Sequence, residues 1–253
     1  MAERPEREGT RQMNPVFTIW RRESKSILRS PVAWCVFAGF VAATGIRFTT
    51  ALRQAEGSVE SLAAVLCTQL LLTLCIPVAF FTMGLFATEK STGTLETLIT
   101  APVTDAQIVM GKFLAACSTI WIAIAFATAI FPITLKLATP PPTFSALSLY
   151  GGLIAVALHA ASWCALGTLI SLLSKHQAPA GVVTLAATLA WATITTDNLP
   201  HFVTTLVPIH VDAADFARGI IDTRYLFAAL SSLLFLLFCA IRILESRRWS
   251  SAK

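Results

Sequence analysis

Apolar residues fill six long stretches of this chain, and the charges gather between them. The first runs from Pro31 to about Leu52, broken only by Arg47 near its far end, where a long side chain can reach toward water. The second, residues 61–88, holds 28 residues without a charge. At ~1.5 Å per residue it is longer than a ~30 Å hydrocarbon layer requires, so it is expected to tilt or protrude. Phe113 to Leu135 forms the third, closed by Lys136 and the Pro140-Pro141-Pro142 breaker. Phe144 to Ser174 is the fourth and contains His159. Gln177 to about Thr196 is the fifth, after a short turn at Lys175-His176, and Tyr225 to Ile241 is the last, extendable at both ends. These runs reach or approach the ~18 residues that mark a membrane-spanning helix. The pattern predicts an all-α polytopic membrane protein with six transmembrane helices within residues 31–244.

The flanking and linking segments carry their own patterns. Residues 1–13 mix three Glu with three Arg, show no apolar period and read as a polar tail. Over residues 14–30, Phe17, Trp20, Ile27 and Leu28 recur at helical spacing while Arg21, Arg22, Lys25 and Arg29 take the other faces. A basic helix with an aromatic stripe predicts an interfacial helix in the headgroup plane. Between the fifth and sixth runs, Leu199, Phe202, Val203, Leu206, Val207 and Ile209 are too apolar for a free loop. They predict short helices that dip back into the outer leaflet as a re-entrant segment over 198–222. Residues 245–253 read as a tail.

Composition agrees with the pattern. Of 253 residues, 55% are hydrophobic and only 13% are charged, about half the charged share of a soluble domain. A soluble enzyme, a disordered chain and a disulfide scaffold are excluded. The net charge of +5 arises from basic residues beside apolar runs, so it points to membrane rather than nucleic acid. With both termini cytoplasmic, fourteen of the nineteen basic residues fall inside, among them Lys90, Lys112 and Lys175; Arg47, Arg53, Lys136, Arg218 and Arg224 fall outside. The positive-inside rule favours that orientation. Cys35, Cys67, Cys75, Cys117, Cys164 and Cys239 all lie in apolar runs without ligand spacing and read as buried thiols.

The segment joining the second and third runs is elaborate for a mere reversal of direction. Thr94 can cap a short helix on which Leu95, Leu98 and Ile99 share a face; Pro102 stops it, and Asp105 can begin the next helix. The run Glu89-Lys90-Ser91-Thr92-Gly93-Thr94-Leu95-Glu96-Thr97-Leu98, closing on Pro102-Val103 and followed by Gly111-Lys112, resembles the signature of type-2 ABC transporter permeases. Arg22-Glu23 ahead of Ser30-Pro31 resembles the family's entry segment. His210, the block from Asp215-Phe216 through Arg218-Gly219 to Asp222, and Leu244-Glu245-Ser246-Arg247-Arg248-Trp249 are similar to the subgroup associated with bacterial gliding motility.

The resemblance implies a permease subunit of an ABC transporter, an exporter in the bacterial cytoplasmic (inner) membrane. Its partners would be a separate ABC ATPase subunit, a second permease subunit in a homo- or heterodimer, and an extracytoplasmic auxiliary subunit. Residues 89–104 would contain the coupling helix, with Glu89, Gly93, Thr94, Leu95, Glu96, Leu98, Ile99 and Pro102 as its candidate residues. Leu95, Leu98 and Ile99 would fill a cleft on the ATPase, with Glu89 and Glu96 at its rim. Phe17, Trp20, Arg21, Arg22, Glu23 and Ile27 would belong to the interfacial helix, and His210, Asp215, Phe216, Arg218 and Gly219 to the outer re-entrant hairpin.

Neither a catalytic site nor a cofactor is expected on the chain itself. Gly84 to Ser91 is one residue from a phosphate-binding loop, but Glu89 puts a negative charge where backbone amides would cradle phosphate. His159 reads either as a buried neutral histidine or as a proton relay. His201, His210, Asp212 and Asp215 have ligand-type chemistry without ligand spacing. Two other functions stay open: an ion-coupled secondary transporter, which calls for mid-membrane charges and an internal repeat, and a non-transporting anchor or energy-coupling subunit of envelope machinery.

Overall fold

The computed structural model describes residues 14–54, 62–95, 102–129, 146–193, 216 and 223–250. All regular structure in them is helical: α1 (Pro15–Arg29), α2 (Pro31–Gln54), α3 (Leu62–Met83), α4 (Ala87–Thr92), α5 (Asp105–Ala129), α6 (Ala146–Leu173), α7 (Gln177–Thr193) and α8 (Thr223–Ser250). Among the described residues, five stretches are long and apolar enough to cross a membrane: Pro31–Thr50, Ala63–Ser91, Asp105–Ala129, Ser148–Leu173 and Leu226–Ser246. The chain is a multi-pass membrane protein. The 17 described residues of α7 extend roughly 26 Å, and residues 194–196 of the expected fifth run lie outside the described part.

Helices α3, α5 and α6 form the middle of the bundle, with α2, α7 and α8 around them and α1 laid against α5. Because lipid is as apolar as these side chains, close packing and satisfied polar groups must hold the helices together. Buried hydroxyls therefore bond backbone carbonyls one turn back, as Thr82 does to Val78 at 2.7 Å and Thr119 to Ala115 at 2.8 Å. Other polar contacts cross between helices. Thr44 meets Thr73 at 2.9 Å between α2 and α3, and Ser162 donates to the Ala229 carbonyl at 3.2 Å between α6 and α8. Arg47 does not simply reach for water; its Nε donates to Gln69 Oε1 at 2.9 Å.

The structure keeps the expected helix start at Asp105 and departs from the sequence expectations in three other places. The third apolar helix begins at Asp105, two turns before Phe113, because Thr104 and Gln107 form a capping box. Gln107 N donates to Thr104 Oγ1 at 3.3 Å, and Thr104 N donates to Gln107 Oε1 at 3.0 Å. Lys112 therefore lies within this helix. The second run does not continue as one overlong helix; it breaks at Gly84-Leu85-Phe86 and restarts as α4, which takes up the excess length. Residues 245–250 of the expected tail are helical, the end of α8. Cys35 faces outward and Cys239 is half-buried, so only Cys67, Cys75, Cys117 and Cys164 are core thiols.

His159 is buried in α6 with its ring edge-on to Trp163, centroids 5.6 Å apart. Of the residues expected in an outer re-entrant segment only Phe216 is described. Its side chain is buried in the core, and its carbonyl covers Gly151, where an added Cβ would come within 2.9 Å. His201, His210, Asp212, Asp215, Arg218 and Gly219 lie outside the described residues.

Candidate functional site

The break between α3 and α4 is where the bundle concentrates its polar side chains. A helix ending inside a membrane domain leaves carbonyls and amides that need partners. Ser171 of α6 supplies three contacts: its Oγ accepts from Phe86 N at 3.1 Å and Ala87 N at 3.2 Å, and donates to the Met83 carbonyl at 2.9 Å. Lys112 of α5 donates to the Leu85 carbonyl at 2.7 Å. In return, Lys90 of α4 donates to the carbonyls of Leu172 and Ser174, closing the C-terminal end of α6. Each side of the joint thus satisfies the other's open backbone groups.

Lys112 is the centre of the site. Although charged, it is 1% exposed. Its Nζ lies 2.8 Å from Glu89 Oε1 of α4 and 3.3 Å from Glu23 Oε1 of α1, with the Phe86 ring 5.2 Å away. A buried ammonium is tolerated only when it is paired and hydrogen-bonded, and here two carboxylates and a carbonyl provide that. One side chain therefore ties together α1, α4, α5 and the α3–α4 turn. Two carboxylates share this single ammonium, and Glu89 Oε2 is buried with no hydrogen-bond partner among the described residues.

Helix α1 reaches this cluster by close packing. Asn14 caps it, its side chain accepting from Val16 N at 3.3 Å, and Pro15 stands at the first turn. Gly111 lets α1 approach: a Cβ there would lie 2.7 Å from Ile19 Cγ2 and 3.2 Å from the Val16 carbonyl oxygen. Trp20 Nε1 donates to Ser118 Oγ at 3.1 Å, Ile27 packs on the core, and Phe17 stays 48% exposed. Arg21, Arg22, Lys25 and Arg29 face outward, as their pattern predicts. At the corner into α2, Trp34 Nε1 donates to the Leu28 carbonyl at 2.9 Å.

The candidate coupling residues divide. Glu89 turns inward onto Lys112 instead of outward to a rim. Gly93 ends α4 with φ +74°, the left-handed cap that favours glycine. Thr94 Oγ1 meets Thr92 Oγ1 at 2.9 Å and bonds back to α4. Leu95 is 8% exposed and packs in the chain's own core. Pro102 is exposed in a bend before α5. Glu96, Leu98 and Ile99 lie outside the described residues.

Sequence reading quoted Lys90, Gly111 and Lys112 in the signature run without joining them to Glu89 and Glu23, and it missed Ser171 and Ile19. Lys112 had a signal, being the one Lys or Arg between Asp105 and Ala129. Ser171 had none, since it is one of three serines on an apolar helix and looks like the other two.

The family description that matches residues 17–210 is ABC-2 family transporter protein. The chain belongs to the ABC-2 transporter family. No curated protein matches it. As an ABC-2 protein it is a membrane subunit of an ABC transporter, and permeases of this family lack an ATPase domain of their own and generally work with an ABC ATPase subunit.

Proposed function

We propose that this ABC-2 chain is the permease subunit of an exporter in the bacterial inner membrane, driven by ATP hydrolysed on a separate subunit. In this reading it has six transmembrane helices, α7 being the fifth, with α1 in the headgroup plane and both termini in the cytoplasm. Residues 198–222 form the outer re-entrant hairpin, and two such permease subunits enclose the pathway, as a homo- or heterodimer. The resemblance of the blocks around Asp215–Asp222 and Leu244–Trp249 to the gliding-motility type supports that subgroup, with an extracytoplasmic auxiliary subunit completing the assembly.

One observation carries the coupling assignment: Lys112 joins α4, which leads directly into residues 93–104, to α1 and α5. A displacement of that segment by an ATPase would be transmitted through a buried ion pair and the Ser171 contacts, not lost in a soft loop. With Leu95 and Glu89 turned inward, Leu98 and Ile99 are the apolar anchors for the partner and Glu96 is the rim charge. Changing Leu98→Asp exchanges a hydrophobe for an unpaired charge and should cost about 2–4 kcal/mol of docking. The expected result is a membrane-inserted chain that no longer co-purifies with its ATPase. Equal ATPase recovery from wild type and variant would overturn the coupling assignment, and recovery without any ATP-dependent transport would point to the anchor function.

A further inference from the structure

A cavity of about 340 Å³ opens beside the Lys112 cluster, between α1, the start of α2, the end of α3 and the start of α7. Its volume is near the lower end of small-molecule sites, which run from ~300 to 1,000 Å³. Its position is informative. Ser30 and Ala33 stand where one span begins, Met83 to Glu89 where another ends, and Gln177 where α7 starts. The cavity therefore sits at the boundary between apolar and polar membrane zones. Its rim is exposed and polar, with Arg22, Ser26, Thr88 and Gln177, while Ala33, Phe81, Leu85 and Lys112 form a buried floor. One wall, Phe80, leads one helical turn along α3 to Ile76, which is 61% exposed on the bundle's outer surface.

The charges in the lining are separated. Inside, Glu23 and Glu89 share the single ammonium of Lys112, leaving one excess negative charge; at the mouth Arg22 supplies one positive charge. An anionic group alone would meet two carboxylates, and a cation alone would meet Arg22. A zwitterion matches both ends. A primary ammonium, with three N–H donors, suits carboxylate acceptors, whereas a quaternary ammonium calls for an open aromatic cage. Phe81 is not open, because it packs on Phe37 at 5.4 Å and on Phe80 at 5.5 Å.

We propose that this cavity binds a phosphoethanolamine group, its ammonium toward Glu23 and its phosphate toward Arg22, Ser26 and Ser30. Where the group belongs to a phospholipid, the acyl chains follow the Phe80–Ile76 side into the bilayer. The site depends on the family's membrane placement and not on the coupling assignment, so Leu98→Asp should leave it intact.

The test is native mass spectrometry of the full chain purified in detergent and given equal amounts of phosphatidylethanolamine, phosphatidylglycerol and phosphatidylcholine with identical acyl chains. One phosphatidylethanolamine should be retained with about tenfold preference. Arg22→Ala and Ser26→Trp change exposed positions of α1, and each should abolish the preference while the thermal midpoint holds. Free phosphoethanolamine at millimolar concentration separates the sources: displacement of the lipid assigns recognition to the headgroup alone, and its failure assigns the site to the intact lipid. Equal retention of the three lipids, or a preference that survives both substitutions, would overturn the proposal.

Discussion

Removing the ammonium of Lys112 would leave Glu23 and Glu89 facing each other across its place, and the Leu85 carbonyl without its donor. Breaking a buried ion pair from one side costs about 3–5 kcal/mol, chiefly because the remaining charge is stranded. Lys112→Met should therefore lower the thermal midpoint of the detergent-purified chain sharply. Adding Glu23→Gln and Glu89→Gln to it should restore most of the loss, since a neutral triad strands no charge and leaves only the Leu85 carbonyl without its donor. A Lys112→Met chain that unfolds at the wild-type temperature would show that the pairing contributes little. Ser171 offers an independent check, because it satisfies two amides and a carbonyl at once. Ser171→Ala should cost about 1–3 kcal/mol through the unpaired groups it leaves, read by the same melting experiment.

At the scale of helices, the docking of α1 on α5 depends on a single missing side chain. Gly111→Val forces its new atoms into Ile19 and the Val16 carbonyl, and overpacking of this kind costs about 1–3 kcal/mol. The expected result is faster tryptic cleavage at the exposed Arg21, Arg22 and Lys25 of α1, with the spans still protected. Adding Ile19→Ala should slow cleavage again, and unchanged cleavage in Gly111→Val would mean that α1 is held elsewhere. These contacts also show what sequence could convey. The apolar runs, the Asn14-Pro15 start of α1 and the Asp105 start of α5 are local signals, written in neighbouring residues and therefore readable. The interruption of the second run at Gly84 was not readable from hydropathy, because Leu85, Phe86 and Ala87 continue the apolar pattern through the turn. Its cause lies in Ser171 and Lys112, 27 or more residues away in the chain. For the same reason Glu89 looked like a surface charge: its partner on α5 becomes visible only when the helices pack.

For the whole molecule, the number of crossings fixes where the two ends lie. If α7 crosses, both ends share a side; if it does not, they are on opposite sides. Withdrawing Lys112 into the bundle removes one charge from the inner loops, yet thirteen basic residues remain there against five outside, so the positive-inside argument stands. It predicts cytoplasmic ends and an outward segment near Pro140. Single cysteines at Thr10, Thr139 and Ser251 would measure this with a membrane-impermeant label on intact cells. The background is workable because Cys67, Cys75, Cys117 and Cys164 are at most 1% exposed and Ala can replace all six native cysteines. Thr139→Cys should label, while Thr10→Cys and Ser251→Cys should label only after the membrane is opened. Labelling of Ser251→Cys but not Thr10→Cys in intact cells would mean an odd number of crossings, and α7 would then be a helix buried in the bundle rather than a span. Labelling of both ends without Thr139→Cys would reverse the orientation. The Lys112 joint and residues 93–104 would then face away from the cytoplasm, where no ATPase could reach them.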